Sequence, residues 1–251
     1  MPQAGFTPAE EVKSKRGPRK WNICGENKKM NNYEIQAENA KKLFLEYDQE
    51  KIIQKLRLRY DGDYLYLPFL DLQYRIHRRT AAVERREGNG PYEDGGSFNE
   101  VLTIFDALCW SREGVTLSGE WVSTAALGNQ VHGSSAFQGY QAEAARMDPD
   151  RLPAVLEAMG GVRMPRGEPG YRLLAFPFLP VYFQFWRADE EFPARINLFW
   201  DKNTTEFIHY ETVYYLSGFL LERILTLLDR GGKQHTEREN YHGFTDTARR
   251  D

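Results

Sequence analysis

The segment from residue 56 to residue 77 constrains the fold of this chain more than any other. Three runs there alternate in hydropathy with a period of two and are rich in aromatic residues: 56–60, 64–70 and 72–77. This pattern is typical of β-strands with one buried face. The turn Asp61-Gly62-Asp63 separates the first two runs. We therefore expect a three-stranded antiparallel meander.

Helical signals surround this meander. Ser97 and Glu100 form a capping-box signature, in which the Ser97 side chain accepts from the third helical N–H and Glu100 reaches back to the Ser97 amide. Further helices are predicted after Asn32, after Asp48 and after Asp148-Pro149, and a last one over residues 211–228 that ends at Gly231-Gly232.

A second group of strands is predicted at residues 171–176, 181–186, 196–200 and 207–210. The segments 78–96 and 118–140 lack clear periodicity. We expect a long exposed loop at the first, whose arginines are either solvated or bind an anion, and a loop with short ordered pieces at the second. These elements predict a single α+β domain in which an antiparallel sheet of meander and hairpin strands packs against several helices.

Composition limits the class of protein. With 41% apolar and 14% aromatic residues, the chain can bury a substantial core, and no apolar run reaches the length of a membrane span. The two cysteines, Cys24 and Cys109, fit neither a disulfide framework nor a metal site, and no secretory signal is evident, so a cytoplasmic location is expected. The formal charge of −3 argues against nucleic acid as a partner.

The two ends of the chain differ from the middle. Residues 1–30 are basic and rich in Gly, Pro and Ser, and they predict a disordered arm, whereas the polar residues 231–251 predict a disordered tail. The folded domain is therefore expected over residues 31–230.

The common catalytic signatures, including the P-loop, the GxGxxG turn, the GxSxG elbow and HExxH, do not occur, and the five histidines are widely spaced. The densest acidic group is Asp189, Glu190 and Glu191, to which Asp201 returns if its strand pairs directly with the preceding one. Converging carboxylates suit a hard cation or acid–base chemistry. The alternative is an exposed hairpin loop whose charges cap the strand ends.

A second candidate site combines glycine with aromatic residues. Glu120 and Trp121 follow Gly119, and Phe137 and Tyr140 flank Gly139. Glycine permits close approach of the backbone, and the aromatic rings, together with Trp186, suit the wall of a ligand pocket. Core packing is the competing explanation for each ring, as it is for Cys109.

The order of these motifs resembles an uncharacterised bacterial and archaeal family, the domain of unknown function DUF3786. The resemblance covers about 200 residues and is carried by these segments: 33–56, 58–76, 117–122, 137–139, 156–161, 186–193 and 198–201. It implies a family mainly from anaerobes, with relatives linked to iron–sulfur clusters or to corrinoid and one-carbon metabolism. This chain has no four-cysteine cluster motif, and the resemblance supplies no cofactor and no catalytic residue.

Three functions remain open at this point. The first is a small-ligand-binding or accessory domain that uses the aromatic residues, with Glu120 and the acidic loop at the rim. The second is an enzyme built on the clustered carboxylates, and the third is a module that binds a partner protein through exposed aromatic residues.

Overall fold

The structure is a computed structural model. It describes the backbone of residues 32–128 and 140–246 and the side chains of residues 34–128 and 140–231. Two antiparallel sheets and a set of helices form a single α+β domain, as predicted. The helices are α1 (Asn32–Glu46), α2 (Gln49–Leu56), α3 (Phe98–Trp110), α4 (Thr124–Leu127), α5 (Gln141–Ala144), α6 (Leu152–Ala158) and α7 (Tyr210–Asp246). The predicted arm over residues 1–30 lies outside the described residues.

Sheet A contains the predicted meander and two further strands in the order β1-β2-β3-β4-β5. Its strands are β1 (Arg59–Tyr60), β2 (Tyr64–Phe69), β3 (Leu72–His77), β4 (Val83–Glu87) and β5 (Glu93–Asp94). Alternate residues of β2 and β3 are buried, so one face packs on the core and the other is half-exposed. The meander prediction is confirmed.

The segment 78–96 is not one long loop, and that prediction is wrong. Val83–Glu87 pairs with β3 and then with Glu93–Asp94. Most of the strand consists of the charged residues 84–87, so its alternation carries no apolar signal. Pairing with β3 supplies the hydrogen bonds that make this sequence a strand.

Sheet B has the order β6-β10-β9-β8-β7. Its strands are β6 (Trp121–Ser123), β7 (Val162–Arg163), β8 (Gly170–Phe176), β9 (Leu179–Trp186) and β10 (Arg195–Asp201). All pairs are antiparallel, and the three long strands match the predicted ones. The two sheets meet where Leu70 N–H donates to the Ala175 carbonyl at 2.8 Å and the Phe69 ring stacks on Phe176 at 4.6 Å.

Helices α3 and α7 pack against each other and bury their apolar residues in the core. The capping box at the start of α3 is present as predicted, since Ser97 accepts from Glu100 N–H and Glu100 accepts from Ser97 N–H. The Glu100 carboxylate is also buried, and it accepts from the Tyr74 hydroxyl and from Arg85. This one side chain thus joins the helix start to sheet A.

The region around α7 differs from the prediction in two respects, although the helix starts within one residue of the predicted position. Residues 204–206 form a 3-10 turn, and α7 starts at Tyr210, so the predicted strand at 207–210 is wrong. The helix also continues through Gly231-Gly232 to Asp246, and residues 247–251 of the predicted tail lie outside the described residues. Glycine weakens a helix interior by about 1 kcal/mol relative to alanine and does not forbid it.

An ionic network fixes α7 to the end of sheet A at which β2 and β4 finish. Arg223, on α7, donates to Asp71 at 2.6 and 3.0 Å and to Glu87 at 2.7 Å. Arg230, two turns further along, donates to the same Glu87 at 2.7 and 2.9 Å. Hydrogen bonds from these arginines hold the pKa of Glu87 below its usual value.

Candidate functional site

The predicted acidic group lies in an exposed hairpin loop between β9 and β10. Asp189 accepts from the backbone N–H groups of Glu191 at 2.9 Å and Phe192 at 2.7 Å, so its carboxylate closes the turn. Glu190 and Glu191 are exposed. Trp186, at the end of β9, packs its ring under Arg195 at 5.8 Å.

Asp201 lies at the opposite end of the same hairpin. Arg195 pairs with Trp186 beside the acidic loop, and Asp201 is six residues further along β10, about 20 Å away. The register therefore separates Asp201 from the loop at 189–191. The structure does not bring these four carboxylates together.

Asp201 instead organises the backbone before β6. Its buried carboxylate accepts from Ser118 N–H at 2.9 Å, Gly119 N–H at 2.8 Å and Asn203 N–H at 2.9 Å. Burial alone raises the pKa of Asp201, but these N–H donors outweigh it and hold the pKa below its usual value. The turn residue Gly119 has a φ of +77°, which glycine adopts without strain.

Glu120 and Trp121 follow this turn. The Glu120 carboxylate is exposed and pairs with Lys202 at 2.9 Å. Trp121 is half-buried, pairs with Asp201 across β6 and β10, and packs edge-on against Tyr182 at 5.7 Å. These two residues and Asp201 therefore lie close together. The Glu120 carboxylate is paired with Lys202, however, and the Asp201 carboxylate accepts backbone hydrogen bonds.

Of the other predicted residues, Phe137 lies outside the described residues. Tyr140 lines a polar cavity of about 750 Å³ beside α7, together with Asn99 and Tyr214. Burial raises the pKa of Tyr140 to about 12, so its hydroxyl stays protonated at neutral pH. Within the described part of the chain, no group of three or more His, Cys, Asp or Glu side chains is arranged to hold a metal ion.

The strongest site chemistry lies elsewhere, where Asp106 of α3 meets His209. The Nδ1 atom of His209 lies 2.5 Å from Oδ1 of Asp106, and the His209 backbone N–H donates to Oδ2 at 2.8 Å. Because an ionised carboxylate only accepts, the proton between ring and carboxylate belongs to Nδ1. Nε2 is then the ring nitrogen available to a ligand.

Trp110 covers the imidazole. The two ring centroids are 3.6 Å apart with an interplanar angle of 30°, and the indole N–H donates to the Thr205 carbonyl at 3.1 Å. Asp106 and Trp110 are four residues apart on α3, so they lie on the same face of that helix. The indole and the carboxylate together fix the orientation of the His209 ring.

Next to this pair is a largely apolar cavity of about 240 Å³, which we call the His209 groove. Ala40 and Leu43 of α1, with Tyr47 just after that helix, form one wall, and α3 and the start of α7 form the other. Leu43 and Tyr47 are partly exposed at the rim, as is Trp110. The groove thus combines an apolar wall with one oriented polar group, which is typical of a small-molecule site.

The turn that carries His209 is held firmly. Arg112, just after α3, donates its backbone N–H to the Glu206 carbonyl at 2.9 Å and pairs with the Glu206 carboxylate at 2.5 Å. The His209 carbonyl accepts from Thr212 N–H at 3.0 Å in the first turn of α7. Hydrogen bonds therefore hold the backbone on both sides of His209.

Cys109 also lines the groove, and its side chain is buried. Burial raises the pKa of its thiol to about 12, so the thiolate is scarce at neutral pH. Lys55 donates to the Cys109 carbonyl at 3.4 Å and to the Ser111 carbonyl at 2.8 Å, where it caps the end of α3. Burial lowers the pKa of this lysine.

Sequence reasoning did not find the Asp106–His209 pair. The spacing of Asp106 and Trp110 on α3 was visible, but the histidine is 103 residues further along the chain. No local pattern connects positions that far apart.

The family model for the domain of unknown function DUF3786 matches residues 48–223, more than half of the chain. The chain belongs to the DUF3786 family. The matched range of this DUF3786 domain includes both sheets, Asp106, Trp110 and His209, while all of α1 precedes it. The comparisons with curated proteins and with solved structures gave no match. The described helices of the DUF3786 domain include none with the length and apolar character needed to cross a membrane.

Proposed function

We propose that this chain is a small-molecule-binding domain and that its ligand occupies the His209 groove. The single observation that carries the proposal is His209, whose ring contacts one oxygen of Asp106 and whose backbone N–H donates to the other, beside an apolar cavity. A histidine ring fixed by a carboxylate and an indole is preorganised, so a ligand does not have to order it on binding.

The groove defines the class of ligand. A cavity of about 150 Å³ accepts benzene, so about 240 Å³ suits one or two fused rings. The apolar walls favour a planar, weakly polar molecule, and Nε2 favours a hydroxyl or N–H donor on its edge. The groove is much smaller than a corrin ring, and the implied link to anaerobic metabolism stays a prediction.

The test is a fragment screen by saturation-transfer NMR and thermal shift on the full chain. Phenols and indoles are expected to bind and to raise the melting temperature, whereas their saturated counterparts should bind more weakly. His209→Ala should reduce binding of the same fragments about tenfold, the loss of one good hydrogen bond. His77→Ala, on the outer face of sheet A, serves as the matched control.

A second pair of variants tests the location. Ala40→Phe fills the groove and should abolish binding, while Ala158→Phe makes the same change at an exposed position of α6 and should not. Fragments that bind Ala40→Phe and His209→Ala as tightly as they bind the natural chain would place the ligand outside the groove and overturn the proposal.

The same geometry favours proton transfer as a second candidate function. An imidazole whose Nδ1–H is held by a carboxylate is the arrangement of a general base, since Asp106 stabilises the imidazolium formed when Nε2 takes a proton. If it operates, a bound fragment with an acidic C–H exchanges that hydrogen for deuterium in D2O, and Asp106→Asn slows the exchange. Exchange no faster than in buffer would leave binding as the function.

A further inference from the structure

The half-exposed face of sheet A carries a continuous stack of planar side chains. The Arg75 guanidinium lies 4.3 Å from the Tyr64 ring centroid and 4.2 Å from that of Tyr92, and the Arg86 guanidinium lies 4.6 Å from Tyr92. His77 extends the stack with an edge-on contact to Tyr64 at 5.2 Å. Aromatic and cationic groups therefore alternate across three strands.

Strand register places these groups on one face. Arg59 lies opposite Tyr66, Tyr66 opposite Arg75, and Arg75 opposite Glu84, so the four form one row across β1 to β4. Directly opposite residues in antiparallel strands share a face. Arg86 lies opposite Gln73, in the neighbouring row of the same face.

Two arginines on this face have no counterion in the described part of the chain. Arg75 pairs with Glu84, Arg78 with Glu50 and Arg79 with Asp63, but Arg59 and Arg86 form no ion pair there. The Nε atom of Arg86 is moreover a buried donor that has no acceptor among the described residues. A buried donor without an acceptor reduces stability, unless a binding partner supplies the acceptor.

We propose that this face binds single-stranded nucleic acid, with phosphates at Arg59 and Arg86 and bases against the stacked side chains. The two arginines lie about 16 Å apart, three strand spacings and one two-residue step, so one mononucleotide does not reach both. Aromatic rings and guanidinium planes stack on bases of any sequence. An acidic peptide gains charge pairing here but gains nothing from the planar stack.

The formal charge of −3 predicted no nucleic-acid partner, yet recognition depends on the local field rather than on the sum. Binding at two phosphates is expected to weaken as salt rises, and removal of each phosphate contact should reduce the salt dependence by about one counterion. The surface is therefore expected to bind single-stranded nucleic acid at low salt and without sequence preference.

The experiment is fluorescence anisotropy of labelled oligothymidylate and oligouridylate with the full chain at low salt. Arg59→Ala and Arg86→Ala should each weaken binding about tenfold, and Tyr92→Ala by a similar factor, whereas Tyr92→Phe keeps the ring and should bind normally. Arg146→Ala, an exposed arginine outside the sheets, removes the same charge and should have no effect.

Several results would overturn the proposal. Oligonucleotides that do not bind at all, or that bind the Arg59→Ala and Arg86→Ala variants as tightly as the natural chain, place no nucleic acid on this face. Tyr92→Ala removes a ring of the stack without changing the charge, so unchanged affinity of that variant would remove the stacking argument. Polyglutamate that competes as well as oligothymidylate would assign the face to acidic peptides. Melting temperatures of all variants confirm that the fold is retained.

Discussion

Arg223 is expected to be the charged residue on which the docking of α7 depends most. Its side chain is only 7% exposed and donates to Asp71, whose side chain is 15% exposed, and to Glu87, which is 46% exposed. Arg223→Met keeps the apolar packing of the aliphatic part of the side chain but removes the guanidinium and its charge. The substitution leaves Asp71 shielded from water without its cation.

The expected cost follows from these exposures. Breaking a fully buried ion pair by removing one partner costs about 3–5 kcal/mol. Glu87 is half-exposed and keeps Arg230, so only Asp71 loses its compensation, and we expect a loss of about 3 kcal/mol in the free energy of unfolding. In a domain of this size, that loss lowers the melting temperature by about 6–12 °C.

Urea unfolding, followed by circular dichroism, measures the effect in a double-mutant cycle. Asp71→Asn combined with Arg223→Met removes both charges, so the double variant should be less destabilised than the sum of the single variants by about 1–3 kcal/mol. Arg230→Met is the matched control, because its exposed pair with Glu87 is worth at most about 1 kcal/mol.

Two results would refute this reasoning. Arg223→Met that unfolds at the same urea concentration as the natural chain would show that Asp71 does not need the guanidinium. Strict additivity in the cycle would show that Asp71 and Arg223 are not coupled, whatever the separation of their atoms.

Three further predictions concern the groove, the turn before β6 and acid stability. Asp106→Asn should weaken fragment binding in the groove, because it no longer fixes the proton on Nδ1 of His209, and NMR of the imidazole resonances reports the change. Asp201→Asn turns an amide donor towards backbone N–H groups, which should cost about 1–3 kcal/mol in urea unfolding and speed hydrogen exchange at Gly119. The folded pKa values of Glu87 and Asp201 lie below their unfolded values. Both carboxylates therefore contribute stability that is present above about pH 4 and is lost as the pH falls through the folded pKa. The free energies of unfolding at about pH 7 and about pH 3 should differ less in Glu87→Gln than in the natural chain.

Short-range sequence patterns predicted much of the fold. The capping box at Ser97 and Glu100, the cap at Asp48 and the alternation of β2 and β3 each depend on residues within one turn or one strand of each other. The structure contains all of them. These signals work because the backbone groups that they satisfy lie within the same short segment.

Where partners are distant, the sequence was less informative. Strand β4 is mostly charged. Its pairing with β3 and the ion pairs of Glu84 and Glu87 explain why this segment forms a strand. Likewise, α7 passes through Gly231-Gly232, where a local rule predicted its end. Tertiary packing outweighs a propensity of about 1 kcal/mol at single positions.

The candidate sites show the same division. By itself, the sequence determined the α+β class, the family and the helix on which Asp106 and Trp110 lie, but it placed His209 in a strand that does not form. Only the tertiary structure decided that His209 reaches Asp106 across 103 residues, and that the β9–β10 register separates Asp201 from the acidic loop. The physical reason is that strand register and helix docking are set by the burial of whole faces, which fixes long-range neighbours that no local spacing encodes.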